Sequence, residues 1–153
     1  MLESPKIIQT QAQQTAVIRL TVPRDEIRQV MGPGIKEVNA TVAAQGIEPA
    51  GPWFSHHFKM DPKVFDFELG VPVPTPVTPQ GRVQPGELPA TRAVQAVYVG
   101  SYEGLAAAWG EFDAWIAEQG LTPAAGLWEC YARGPESTDD PGSFRTELYR
   151  PLS

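Results

Sequence analysis

Cysteine is almost missing from this sequence. The single thiol, Cys130, excludes an internal disulfide and any thiolate cluster around zinc. Histidine is nearly as scarce: there are two, His56 and His57, side by side. Adjacent strand residues point to opposite faces, so this pair cannot close on one ion without a bulge. No Cys or Asp stands at ligand spacing either, and no metal site is expected. Long apolar runs are lacking. Nothing approaches the roughly 20 residues of a membrane span, and the opening MLESPKIIQT has no signal-peptide core. The expectation is a cytoplasmic protein without membrane contact. Lys and Arg form no stripe, and 12 basic against 18 acidic residues give a formal charge of −6. Direct nucleic-acid binding is therefore not expected, and the acidic balance favours cationic ligands or basic partners. The GPGIKE segment lacks the spacing and the Lys-Ser/Thr ending of a phosphate loop, and no G-x-S-x-G elbow occurs.

With 42% hydrophobic and 20% charged residues over 153 positions, the chain has the composition of one folded domain, residues 1–153, rather than of a disordered segment. Its organisation comes from self-similarity. AVIRLTV (16–22) resembles AVQAVYV (93–99), and each precedes a helical pattern. Those patterns end in AAQGIEPAG (43–51) and AEQGLTPAAG (117–126), with Gly at the C′ position and Pro three residues on. Two aromatic runs follow, PWFSHHF (52–58) and GLWECYA (126–132). The halves close on FDFELGVPV (65–73) and FRTELYRPL (144–152), in which Glu68 matches Glu147, Leu69 matches Leu148 and Pro72 matches Pro151.

The expected architecture is α+β: duplicated βαββ units related by a pseudo-twofold axis, with antiparallel sheets and two main helices. Repeat one covers about 5–75 and repeat two about 80–153. The proline-rich VPVPTPVTPQGRVQPGELPA (71–90) forms an extended crossover. In the second helix Leu105, Trp109, Phe112 and Ile116 make one apolar face, with Ser101 as N-cap. The first helix is expected to break at GPG (32–34), restarting with Pro33 at N1. Both apolar stripes are read as core.

Glu129 is the residue that asks for an explanation. It lies between Trp128 and Tyr131 in a strand pattern, and a carboxylate among rings is costly if buried and unpaired. Either it points at water or it awaits something cationic or reactive. Alternation places Leu127, Glu129 and Tyr131 on one face, with Trp128, Cys130 and Ala132 on the other. Aligning Pro49 with Pro123 makes Trp53, Ser55 and His57 their counterparts. A pseudo-twofold axis bringing these rows together would give an aromatic surface of Trp53, His57, Leu127 and Tyr131 with Glu129 as its one carboxylate. Small-molecule sites are commonly built so. Cys130, with no basic neighbour, is read as a buried strand residue and not a thiolate.

VYVGSYEGL (97–105), GLWECY (126–131), FRTELYRPL and FDFELGVPV, with ELPA (87–90) leading into the third quarter, resemble the GyrI-like effector-binding domain of bacterial multidrug-responsive regulators. The resemblance spans nearly the whole chain. It implies a cleft between the repeats that binds bulky, often cationic, aromatic molecules, with Glu129 at its floor and Tyr131 following. It implies a role for Tyr102, although Ser101 replaces the proline usual before it, and places Trp53, Phe54 and His57 on the opposite wall. No cofactor is implied. The length leaves no room for a DNA-binding domain, so a stand-alone binding protein without turnover is expected. The alternative is a hydrolase of strained, cyclopropane-bearing electrophiles, in which Glu129, Tyr131 and Tyr102 become catalytic. A third reading is a gyrase-inhibitor-like module with a protein partner. The sequence leaves the ligand and the oligomeric state open.

Overall fold

The computed structural model describes residues 2–58, 61–135 and 138–153. The elements run β1 (Lys6–Gln9), β2 (Gln13–Pro23), α1 (Ile27–Ala44), β3 (Phe54–His57), β4 (Val64–Pro72), β5 (Gln84–Leu88), β6 (Arg92–Val99), α2 (Leu105–Glu118), β7 (Leu127–Arg133) and β8 (Arg145–Pro151). The fold is α+β with two helices and eight antiparallel strands, as the duplicated pattern predicts. No helix among the described residues is long and apolar enough to cross a membrane.

Two compact units divide the chain: residues 11–90, and residues 1–10 with 91–153. In the first the strand order is β3-β4-β2-β5, in the second β1-β6-β8-β7. This changes the boundaries expected from sequence. β1, counted with repeat one, pairs with β6, Ile7 standing opposite Val94. β5, taken as part of the crossover, pairs with β2, Gly86 opposite Thr15. The proline argument excluded a central strand. It did not exclude an edge strand, where Pro85 leaves no ladder hydrogen bond unmade.

Within each unit one helix covers one sheet face. Val38 and Val42 of α1 pack on Ile18, Leu20, Phe67 and Leu69. Ala108, Phe112 and Ile116 of α2 pack on Val94, Ala96, Tyr98 and Leu148. Both helices end alike. Gly46 and Gly120 each have φ of 71°, and Ile47 N–H donates to Val42 O (3.1 Å) as Leu121 N–H donates to Ile116 O (3.2 Å). This is the Schellman closure that the Gly and Pro spacing predicted.

The starts of the helices depart from expectation. Ser101 makes no side-chain capping bond; its carbonyl instead accepts from Tyr98 Oη at 2.8 Å. α1 does not break at GPG but runs through Pro33. Proline inside a helix removes one hydrogen bond and crowds the preceding turn. The unbroken apolar stripe through Ile35, Val38 and Val42 offsets that loss. Gly34 has its own reason to be there, since a Cβ on it would meet Leu69 Cδ2 at 2.7 Å and Ile18 Cδ1 at 3.1 Å. Both neighbours are fully buried and have nowhere to go. Gly34→Val should therefore cost about 1–3 kcal/mol by overpacking, read as a lower urea midpoint with an unchanged slope. A midpoint equal to wild type would show that the helix does not depend on this close approach.

Candidate functional site

Strand alternation and register build the site within the second unit. Glu129 of β7 stands opposite Leu148 of β8, and Leu148 belongs to the core beneath α2. Glu129 therefore faces the helix. Ser55 stands opposite Leu69 in the other unit, so the correspondence of Ser55 with Glu129 holds in the ladders. Beyond Cys130 the β7–β8 register shifts, with Arg133 opposite Arg145. That bulge sits at Tyr131 and Ala132, the kind of irregularity that re-aims a side chain.

Glu129 is 9% exposed and does not point at water. Trp109 of α2 donates its indole Nε1–H to Glu129 Oε2 at 2.5 Å, and Tyr131 Oη donates to Glu129 Oε1 at 2.8 Å. Both donors are neutral, so they orient the carboxyl oxygens without adding a positive charge of their own. Tyr102, in the short turn that opens α2, meets the Tyr131 ring edge-on with centroids 5.9 Å apart, and lies 5.0 Å from the Phe144 ring. Tyr131 and Phe144 are buried, while Tyr102 and Trp109 are half-buried. The arrangement is a carboxylate flanked by indole and phenol donors and walled by aromatic rings. It can hold a positive charge, or pass a proton between a phenol and a carboxylate.

The structure brings Glu129, Tyr131, Leu127 and Tyr102 into one unit, the first three in sequence on β7. Trp53, Phe54 and His57 belong to the other unit. There Trp53 packs toward the helix-side core, and His57 stacks on Phe67 (5.0 Å, 18°) with Phe65 edge-on at 5.3 Å. Phe54 turns to the opposite face, because it is opposite Gly70 and odd and even positions alternate. The same alternation separates His56 from His57, and both are buried. Cys130 is half-buried, with its thiol pushed up to about 12 by burial and by the charges of Glu147 and Glu129, so it stays a thiol. Trp109 and Phe144 also stand in this cluster, outside the residues that the sequence names for the site. Trp109 was read as core, yet it is the one member of its stripe with a hydrogen to donate, and a buried glutamate needs donors.

A duplicated α+β scaffold with one carboxylate sunk among aromatic rings is the build of a small-molecule receptor domain. The chain belongs to the GyrI-like family: the model of the GyrI-like small molecule binding domain matches residues 3–153. The fold is similar to the EcmrR C-terminal domain, with a TM-score of 0.87 at 19% identity, covering 100% of this chain and 99% of that one. Against EcmrR in its complex with DNA the TM-score is 0.85 at 18% identity, and this chain spans 57% of that chain. A hydrolase from Listeria innocua gives 0.69 at 15% identity, over 99% of this chain and 92% of that one. SAV2435 bound to tetraphenylphosphonium gives 0.67 at 10% identity, over 98% and 94%. No curated protein matches the sequence.

The two histidines carry a pH signature. Burial is the first cause holding both at about 4; next come the Arg19 charge for His56 and the His56 and Arg24 charges for His57. An unfolded histidine titrates near 6.5, so below that pH the unfolded chain takes up protons that the folded chain refuses. Stability should fall as pH drops from about 6.5 to about 4, by up to about 1.4 kcal/mol per pH unit for each histidine. In urea titrations at stepped pH, His57→Phe should flatten the part of that slope above pH 5. An unchanged slope would mean His57 already protonates in the folded state.

Proposed function

We propose that this GyrI-like domain binds bulky aromatic cations, with Glu129 as the charge they meet and with Tyr131, Tyr102 and Trp109 as the rings around it. The observation that carries the reading is the buried Glu129 carboxyl group, held by the indole of Trp109 and the phenol of Tyr131 among aromatic rings. An organic cation gains from that charge directly, and each ring face adds about 0.5–2 kcal/mol of cation–π attraction. Contacts of this kind are weakly directional, which suits a broad range of ligand shapes. SAV2435, similar in fold, has been seen with tetraphenylphosphonium, a cation of this class.

A second reading rests on the 2.8 Å bond between Tyr131 and Glu129. A phenol and a carboxylate in contact can act as acid and base. In a hydrolase of strained electrophiles, Glu129 would take a proton from the water that bonds to a cyclopropane carbon. The strained C–C bond would break with its electron pair passing to the conjugated carbonyl as an enolate, and Tyr131 would protonate or hydrogen-bond that oxygen. The likeness to a Listeria innocua hydrolase supports keeping this alternative.

One variant separates the readings. Glu129→Gln keeps the shape and removes the charge. Calorimetric titration with tetraphenylphosphonium and a neutral analogue of similar shape, tetraphenylmethane derivatised for solubility, should show the cation losing at least tenfold in affinity and the neutral compound little. Equal losses would refute the charge-based account. Incubation with a cyclopropane-bearing electrophile completes the test. Product formed by wild type and not by Glu129→Gln, with binding partly kept, would establish the hydrolase instead.

A further inference from the structure

Thr146 is fully buried on β8, and among the described residues its hydroxyl has no hydrogen-bond partner. It stands opposite Tyr98 of β6 and across from the Tyr131–Ala132 bulge of β7. Two residues away, on the same face, lie Phe144 and Leu148, and Leu148 is opposite Glu129. Three rings stand around Thr146: Tyr98 across the ladder on β6, Phe144 two residues along the chain and Tyr131 at the bulge on the other side, and Tyr102 contacts the last two. The half-buried Tyr102 ring is thus a neighbour of the rings next to Thr146.

The other repeat shows what a purely structural solution looks like. Matching Glu68 with Glu147 and Leu69 with Leu148 puts Phe67 at the position of Thr146. Phe67 is fully buried and fills its position with a ring stacked on His57. In the second repeat a small polar residue replaces that ring, and Tyr102 stands nearby in a turn whose Gly100 and Gly104 make room for the Tyr98 hydroxyl. A buried hydroxyl without a partner costs stability that valine would not. Thr15 in the first unit is also buried without a partner among the described residues, but Thr146 differs in standing beside Tyr131, Phe144 and the ladder pair of Glu129, where a guest could meet its hydroxyl.

We propose that Thr146 is a second polar anchor of the site, which selects among aromatic cations those whose ring carries a hydroxyl, amino or carbonyl substituent. The incoming ring takes the place of Tyr102 between Tyr131 and Phe144, its substituent reaches the Thr146 hydroxyl, and its positive charge remains with Glu129. The inference rests on the cation-binding reading above and deepens it.

The test uses a pair of aryl-phosphonium cations that differ by one ring hydroxyl, titrated into wild type, Thr146→Val, Thr146→Ser and Glu129→Gln. One hydrogen bond made by a buried hydroxyl predicts that wild type prefers the hydroxylated cation by about fivefold to tenfold. Thr146→Val should abolish that preference while its melting temperature stays equal to or above that of wild type, and Thr146→Ser should keep the preference. Glu129→Gln should weaken both cations and leave their ratio intact. A ratio near one in wild type, or a ratio that survives in Thr146→Val, overturns the role of Thr146 and leaves cation binding standing. Failure of both cations to bind wild type removes the functional reading, and this inference with it.

Discussion

The second unit is organised by the need to bury one carboxylate. Removing an ionised side chain from water costs several kcal/mol unless its oxygens are satisfied. Here the satisfaction comes from two different elements. The Trp109 donor arrives from α2 and the Tyr131 donor from the same strand as Glu129. The indole bond fixes the rotation of α2 about its axis, and that rotation lays Ala108, Phe112 and Ile116 on Val94, Ala96 and Leu148. The phenol bond fixes Tyr131 at a bulge, and Tyr131 in turn offers its ring to Tyr102 at the mouth of the helix. Packing and polar geometry therefore specify each other.

The duplication makes the contrast between the units informative. Each has four strands, one helix and the same glycine-closed helix end. Ser55 and Glu129 occupy equivalent ladder positions opposite Leu69 and Leu148. Around Ser55 the first unit places rings: His57 is held neutral by burial and stacked on Phe67. Around Glu129 the second unit accepts a charge, a bulge and a buried hydroxyl. The first unit buries polar side chains of its own, Thr15, His56 and His57, so what sets the second unit apart is a carboxyl group among rings beside a bulge.

Much of this was legible in the residues. Glycine and proline spacing gave both helix ends, because a C′ glycine is a local backbone requirement that needs no tertiary information. The matched Glu68/Glu147 and Leu69/Leu148 pairs gave the equivalence of Ser55 and Glu129, and alternation placed Glu129 with Tyr131. What failed was what depends on distant partners. Pro33 looked like a helix break, but packing of the unbroken stripe on Ile18 and Leu69 outweighs one lost hydrogen bond. β1 and β5 were not assigned to their sheets, since four or five residues at a sheet edge carry little pattern. Trp109 looked like core because its periodicity is that of core; its N–H matters only once Glu129 is known to lie beneath it.

The chemical nature of the donors bears on how such a site can serve a ligand. Had an arginine held Glu129 in place of the indole, its guanidinium would have cancelled the charge and an entering cation would first have had to displace it. An indole N–H and a phenol O–H orient the same two oxygens without that competition. On the cation-binding reading the carboxyl group is then preorganised during folding, and a guest cation would add attraction with little further ordering. Trp109 and Tyr131 also present ring surface beside the charge they hold, so each serves as both support and wall. On the cation-binding reading such a receptor would read charge strongly and shape weakly, and discrimination among cations would fall to a further polar group, the part proposed above for the hydroxyl of Thr146.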